Sequence, residues 1–233
     1  MHHDSEQERL KEVARRKRLE RRFRRLGGDG CDDEDLLELL LSALSPDGDS
    51  QHAARMLLAR LGTLSEVINA SPSDIANVAG IDIGAGKCLP VVRAVMERCL
   101  LCAAENGDTL TQSERLVDLW RLRIGRLRRE VFEVGYLDSS YRLLPDGVER
   151  IEEGTVDRAA VFPRHVIAAA LRREAFALVL AHNHPNGRVE PSEHDKHLTR
   201  ALVLAADTVD VRVVDHIIVS STAAFSFKAA GLL

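Results

Sequence analysis

The sequence predicts an α/β (α+β) fold, with a central sheet flanked by helices and an all-helical N-terminal domain in front of it. Three observations lead to this prediction. The first part of the chain, to about residue 104, shows helix caps and amphipathic runs but no strand signal. Residues 105–114 are polar and rich in turn formers, and after them apolar runs of strand length mix with helical segments. We therefore predict two domains, residues 1–106 and residues 107–233.

Helices account for the first domain in this prediction. A long charged helix ends at Gly27-Gly28, as glycine favours at a helix C-terminus. The next helix opens with acidic residues, which the helix dipole stabilises, and another opens with Ser71 as N-cap and Pro72 in the first helical position. The predicted helices are residues 5–26, 32–44, 50–62, 71–80 and about 87–104.

The second domain mixes strands and helices. FALVLAHNH (176–184) is a continuous apolar run, which is typical of a strand covered on both faces. SSYRLLPDG (139–147) predicts a hairpin-like turn. Further strands are predicted at residues 130–138, 154–163, 211–221 and 223–233, and helices at residues 113–128, 164–175 and 192–209.

Composition limits the class of protein. The chain has 233 residues, of which 45% are hydrophobic and 29% charged, so it can build a core of ordinary size. No window approaches the length of a membrane span, and the charged N-terminus lacks the apolar stretch of a secretory signal. Four cysteines without such a signal indicate a reducing compartment. We expect a cytoplasmic protein.

Basic residues cluster in two places, although the net charge is −4. Residues 1–30 hold ten Lys or Arg against six Asp or Glu, and residues 115–129 hold six arginines. Solvated helix faces explain each cluster. A patch for nucleic acid or another acidic partner is the alternative.

The segment AHNHPNGRVEPSEHD (181–195) carries the main candidate site. Residues two apart on a strand share a face, so His182 and His184 can meet one cation if strand geometry continues to the end of the run. A turn and a helix start then bring Asp195 toward them. Two imidazoles and one carboxylate leave the fourth position of a tetrahedral zinc open, as in catalytic rather than structural sites.

Simpler interpretations of this segment remain open at this point. Ser-x-x-Asp is also an ordinary capping box, and histidines at a strand end can bond loop carbonyls instead of a metal. His194 and His197 are rival ligands, but solvent-facing positions on the helix explain both.

Several blocks of the sequence, in order, resemble the RadC family: REVFEVGYLD, EGTV, FPRHVI, LVLAHNHPNG, EPSEHD and VVDHIIV. The resemblance covers the chain from about residue 14 to its C-terminus. The same residues match the JAMM pattern, H-x-H followed by seven residues, Ser, two residues and Asp. The resemblance implies a JAB/MPN-like (cytidine-deaminase-like) domain over residues 107–233. The name of the family is associated with DNA repair.

The resemblance also implies roles for particular residues. His182, His184 and Asp195 would bind zinc, Glu130 would be the general base, and Ser192 would stabilise an oxyanion. From the residues alone, Glu130 is a strand-edge glutamate in water. Asp215 and His216 also match the family, either as groups that orient the ligands or as residues of a core strand.

The resemblance to the RadC family leads us to expect one of two functions. The first is a zinc-dependent hydrolase (a metallopeptidase) that cleaves an amide or isopeptide bond in an unknown protein or peptide. The alternative is a non-catalytic, DNA-associated binding protein. The family's N-terminal helix-hairpin-helix corresponds here to VAGIDIGAGKC (78–88), where Asp82 replaces an expected glycine. A carboxylate at that position repels phosphate, so we expect weak DNA binding at most.

Overall fold

The structure is a computed structural model that describes residues 2–44, 49–78, 83–107, 112–153 and 161–233. The chain forms two compact units, Met1–Ala94 and Val95–Leu233. The predicted boundary after residue 106 stays a prediction. In the described ranges, no helix combines the length and apolar character that crossing a membrane requires.

The first unit is helical throughout its described residues, as predicted. Its buried core consists mainly of leucine, isoleucine and valine side chains from successive helices, such as Leu37, Leu57, Val67 and Ile75. The helices that begin in this unit are α1 (His2–Leu26), α2 (Asp33–Leu44), α3 (Ser50–Leu61), α4 (Leu64–Ile68), α5 (Pro72–Ala76) and α6 (Ile83–Asn106), with a short 3-10 turn at Gly28–Gly30.

Part of the N-terminal basic cluster is paired within this unit. Arg15 of α1 contacts the buried carboxylate of Glu38 in α2 at 2.7 Å, and Arg22 pairs with Asp35. These arginines therefore hold α1 against α2. Residues 79–82, which include Asp82 of the predicted hairpin, lie outside the described residues, so the expectation of weak DNA binding stays a prediction.

A five-stranded sheet forms the centre of the second unit. Its strands are β1 (Val131–Leu137), β2 (Leu143–Glu153), β3 (Ala177–Asn183), β4 (Arg212–Val219) and β5 (Ala224–Ser226). They lie in the order β2-β1-β3-β4-β5, in which β3 and β4 are parallel and the other neighbours are antiparallel. The helices of this unit are α7 (Gln112–Arg123), α8 (Pro163–Arg172) and α9 (Glu193–Asp207), together with the end of α6.

Helices cover both faces of the sheet. Trp120 and its neighbours in α7 pack on one face, and α8 and α9 pack on the other. Every residue of β3 is buried, which confirms the prediction of a strand covered on both sides. The mixed α/β fold and the helical N-terminal region are therefore as predicted.

The predicted hairpin turn is wrong in its second half. The chain reverses at residues 138–142, where Asp138 accepts hydrogen bonds from the backbone N–H groups of Ser140 and Arg142. The register of β2 against β1 shifts between Leu143 and Val148, so residues 145–147 form a bulge within β2 instead of a turn. A Cβ on Gly147 would lie 2.5 Å from a backbone oxygen, which explains the glycine. Most of the strand predicted at 154–163 lies outside the described residues.

Candidate metal centre

The end of β3 and the start of α9 bring together the three side chains that the sequence predicts as ligands. His182 lies in β3, and His184 follows it, with its N–H donating to the carbonyl of Val219 in β4 at 3.1 Å. This bond extends the strand geometry past the end of β3, so both imidazoles share a face. The chain then turns at Gly187, where φ is +82°, and α9 starts after Ser192.

The ligating atoms of this triad lie close to one another. His182 Nε2 is 3.0 Å from His184 Nε2 and 3.3 Å from Asp195 Oδ1, and His184 Nε2 is 3.5 Å from Asp195 Oδ2. His182 is 1% exposed and Asp195 is 4% exposed, whereas His184 reaches the surface. The three residues form a cluster compatible with a metal site.

The capping box that competed with the metal interpretation is also present. Ser192 Oγ accepts a bond from the backbone N–H of Asp195 at 3.2 Å, and Asp195 Oδ2 accepts from the N–H of Ser192 at 2.7 Å. The Ser192 hydroxyl donates to Asp195 Oδ2 at 2.6 Å. The two interpretations are therefore compatible, because the cap holds the carboxylate in the place where it faces the histidines.

A chain of hydrogen bonds behind the triad determines which nitrogen of His182 carries its proton. Thr199 Oγ1 donates to the carbonyl of Asp195 at 2.6 Å, since a carbonyl can only accept. The hydroxyl has one proton, so His216 Nδ1 donates to Thr199 Oγ1 at 2.6 Å. Burial lowers the pKa of His216 and keeps its ring neutral. His216 Nε2 is therefore an acceptor, and His182 Nδ1 donates to it at 2.8 Å.

The second histidine is fixed in the same tautomer by a different partner. His184 Nδ1 lies 2.7 Å from the carbonyl oxygen of Arg188, so this nitrogen carries the proton. In the neutral state both Nε2 atoms of the pair are then unprotonated, and they point at each other and at the carboxylate of Asp195. Three electron-pair donors converge on one point, which is an arrangement that a cation stabilises.

The electrostatics of the triad agree with this conclusion. Burial disfavours the charged form of Asp195, but the imidazoles of His182 and His184, when they are protonated and donate to it, together with the Ser192 hydroxyl, outweigh burial and hold the pKa of Asp195 far below its usual range. Burial also lowers the pKa of His184, yet its bonds to Asp195 and to the Arg188 carbonyl give a net rise. The centre of the triad therefore favours positive charge.

Glu130, the predicted base, lines the same cavity as His184 and Asp195 of the triad. This cavity has a volume of about 770 Å³, and its lining includes Glu130, His184, Ser192 and Asp195. The negative charge of Glu130 is one of the influences that raise the pKa of His184. The structure thus brings all five predicted site residues to one region, since His182 contacts His184 directly.

Asn183, between the two histidines, holds the segment that carries Glu130. Its Oδ1 accepts from the N–H of Val131 at 2.8 Å, and its Nδ2 donates to the carbonyls of Leu127 and Arg129, both at 3.0 Å. Sequence reasoning missed this role. The signal was a buried amide in an otherwise apolar strand, at the position where strand alternation directs it away from its histidine neighbours.

The remaining candidates have separate environments. His197 is exposed and lies 3.1 Å from Arg200, whereas His194 is exposed at the cavity lining.

Asp215 accepts hydrogen bonds from the Ser226 hydroxyl and the Lys228 N–H, so it anchors the C-terminal segment, whereas its neighbour His216 contacts the triad. Thr199 was not predicted, because its role depends on contacts between α9 and β4.

A mixed α/β domain that places an H-x-H strand end against a helix-borne aspartate has the arrangement of a JAB-type domain. Comparison with known families agrees. Residues 110–232 match the family described as RadC-like JAB domain, and the chain belongs to this family.

Relatives extend the similarity over most of the chain. A UPF0758 protein of Burkholderia cenocepacia is 38% identical over 201 residues, which are 86% of this chain and 77% of the relative. A UPF0758 protein of Burkholderia thailandensis is also 38% identical, over 88% of this chain and 78% of the relative. A third, from Burkholderia mallei, is 37% identical over 88% of this chain and 73% of its own length.

Proposed function

We propose that the chain is a zinc-dependent hydrolase of JAMM type that cleaves an amide or isopeptide bond. The observation that carries this proposal is the convergence of two unprotonated imidazole nitrogens and a carboxylate beside an open cavity. Membership of the RadC-like JAB family supports it.

The spacing of the triad is close to that of a zinc site. Bonds of about 2.0–2.2 Å to a tetrahedral zinc place neighbouring ligand atoms about 3.3–3.6 Å apart. The distances from the two histidines to the oxygens of Asp195, 3.3 and 3.5 Å, lie in this range, and the 3.0 Å between the two Nε2 atoms is slightly shorter. Three protein ligands also leave a fourth position for water or substrate, as catalytic zinc sites require.

The protein's own residues supply the remaining chemistry. When bound, zinc acts as a Lewis acid that polarises a carbonyl and makes water more acidic. Glu130 would accept a proton from the attacking water at its carboxylate and return it to the leaving amine. Ser192 would stabilise the oxyanion after turning its hydroxyl from Asp195 to the substrate. Thr199 and His216 would hold the imidazole of His182 in its ligand tautomer.

The metal is tested by measuring zinc in the full chain, purified without chelator. We expect about one zinc per chain. His182→Ala and Asp195→Ala should lose the metal, whereas His197→Ala should retain it, because His197 is an exposed histidine on the same helix as Asp195. Full zinc retention in both ligand variants would place the metal elsewhere and contradict the proposal.

The reaction is tested on peptide and isopeptide substrates with the zinc-loaded chain. Cleavage by the wild-type chain, and its loss in His182→Ala but not in His197→Ala, would support a hydrolase that depends on this centre. A chain that binds zinc through the triad but cleaves no amide or isopeptide bond would contradict the hydrolase, and would favour the non-catalytic alternative.

A further inference from the structure

Two arginines line the cavity beside the triad and have no carboxylate partner among the described residues. Arg128 and Arg188 are both exposed, and in the described part of the chain neither side chain forms an ion pair. Other arginines of the same unit are paired, as in the contacts of Arg123 and Arg150 with the buried Glu133 at 2.8 and 3.2 Å. Both arginine side chains are therefore available to a ligand.

The backbone around each arginine is bound to the stretch that carries the histidines. Arg188 accepts a hydrogen bond from His184 Nδ1 at its carbonyl, and its N–H donates to Asn186 Oδ1 at 2.9 Å. Arg128 lies between two residues whose carbonyls both accept from the amide of Asn183. Both guanidiniums thus extend from backbone positions that are fixed next to the metal ligands, which lowers the cost of ordering them around a ligand.

With zinc bound, the charge of the site favours an anion. The acidic groups of the cavity are Glu130, Glu190 and Asp195. Against these three carboxylates stand two guanidiniums and, with zinc bound, a divalent cation, so the net charge is positive. Guanidinium groups bind carboxylates and phosphates through paired, charge-assisted hydrogen bonds. These bonds are stronger than the hydrogen bonds that a guanidinium forms with a neutral peptide group.

We propose that Arg128 and Arg188 form an anion-binding subsite, and that the substrate carries a carboxylate or phosphate group beside the bond that is cleaved. The assignment of the anion to a substrate rests on the proposed hydrolase function. The subsite itself does not, because anion binding is measurable without turnover.

Binding is tested by titrating the full zinc-loaded chain with acetate and with inorganic phosphate at constant ionic strength, followed by calorimetry. Arg128→Gln and Arg188→Gln should each bind the preferred anion about five- to tenfold more weakly. Arg142→Gln, in the exposed β1–β2 turn, is the matched control and should bind it like the wild type. Zinc contributes equally in all four proteins, so the difference reports the arginines.

The comparison of the two anions identifies the source of the charge. If the two variants lose more affinity for acetate than for phosphate, the subsite binds carboxylates. If they lose more affinity for phosphate, it binds phosphoryl groups. Equal affinity of the wild type and both cavity variants for both anions would overturn the subsite.

A kinetic experiment separates this inference from the proposed function. On substrates with an acidic neighbour to the scissile bond, the two cavity variants should raise KM with little change in kcat, and the rise in KM should be smaller on neutral substrates. Cleavage that ignores both the acidic neighbour and the variants would overturn the subsite and leave the hydrolase standing. Arginine-dependent anion binding without any hydrolysis would overturn the hydrolase and leave the subsite standing.

Discussion

Replacing Thr199 with valine removes the hydroxyl that connects His216 to α9 while nearly preserving the shape of the side chain. Thr199 is 2% exposed and His216 is fully buried, so water cannot replace the lost acceptor. An unsatisfied buried donor costs about 1–3 kcal/mol of stability. His216 can avoid that cost by moving its proton to Nε2, but this nitrogen faces His182 Nδ1 at 2.8 Å.

A change of tautomer in His216 would also change the tautomer of the metal ligand His182. If His216 donates from Nε2, His182 Nδ1 must accept, and the proton of His182 then lies on Nε2, where it blocks the metal. Loss of a partner that orients a metal ligand typically costs about 10–100-fold in metal affinity. We therefore expect Thr199→Val to bind zinc about 10–100-fold more weakly, which is about 1.4–2.7 kcal/mol.

Thr199→Ser is the matched control, because it keeps the hydroxyl and loses only a methyl group, at a cost of about 1 kcal/mol of stability. Zinc affinity is measured by competition with a chelator, and the tautomer of His182 by nitrogen NMR of the metal-free chain. The serine variant should keep wild-type zinc affinity and a proton on His182 Nδ1. A valine variant that also kept both would refute the hydrogen-bond chain as the determinant of the tautomer.

Three further predictions concern the same centre. Glu130→Gln should retain zinc and lose about 10²–10⁴-fold in rate, since it removes a positioned acid–base group but no ligand; release of zinc would make Glu130 a ligand. Ser192→Ala should lower stability by about 1 kcal/mol through loss of the N-cap and slow turnover while zinc stays bound, and unchanged values of both in denaturation and activity assays would contradict its role. Zinc affinity should fall as the pH decreases, by up to about tenfold per pH unit. Because the pKa of His184 is raised above 6.5, protons should begin to compete with zinc for this imidazole already above pH 6.5. A chelator competition series that is flat between pH 8 and pH 6 would count against that competition.

Local patterns in the sequence predicted most of the helices and four of the five strands, but not β2 or α4, and they identified the candidate members of the triad. An H-x-H spacing at a strand end places two side chains on one face, and Ser-x-x-Asp defines a helix start, because both follow from the backbone geometry of a few consecutive residues. The same local reasoning could not choose between a cap and a ligand for Asp195, and the structure shows one carboxylate that makes both sets of contacts.

Other parts of the site depend on pairings between distant segments. His216 reaches His182 only because β4 lies parallel to β3 in a register that pairs Leu180 with His216, and a shift of one residue would turn His216 to the opposite face. The Pro-Asp-Gly sequence predicted a turn, yet pairing with β1 placed it in a bulge. The sequence by itself determined the triad and its local geometry, whereas the tertiary structure decided which neighbours orient it, since strand register is set by the packing of the whole sheet.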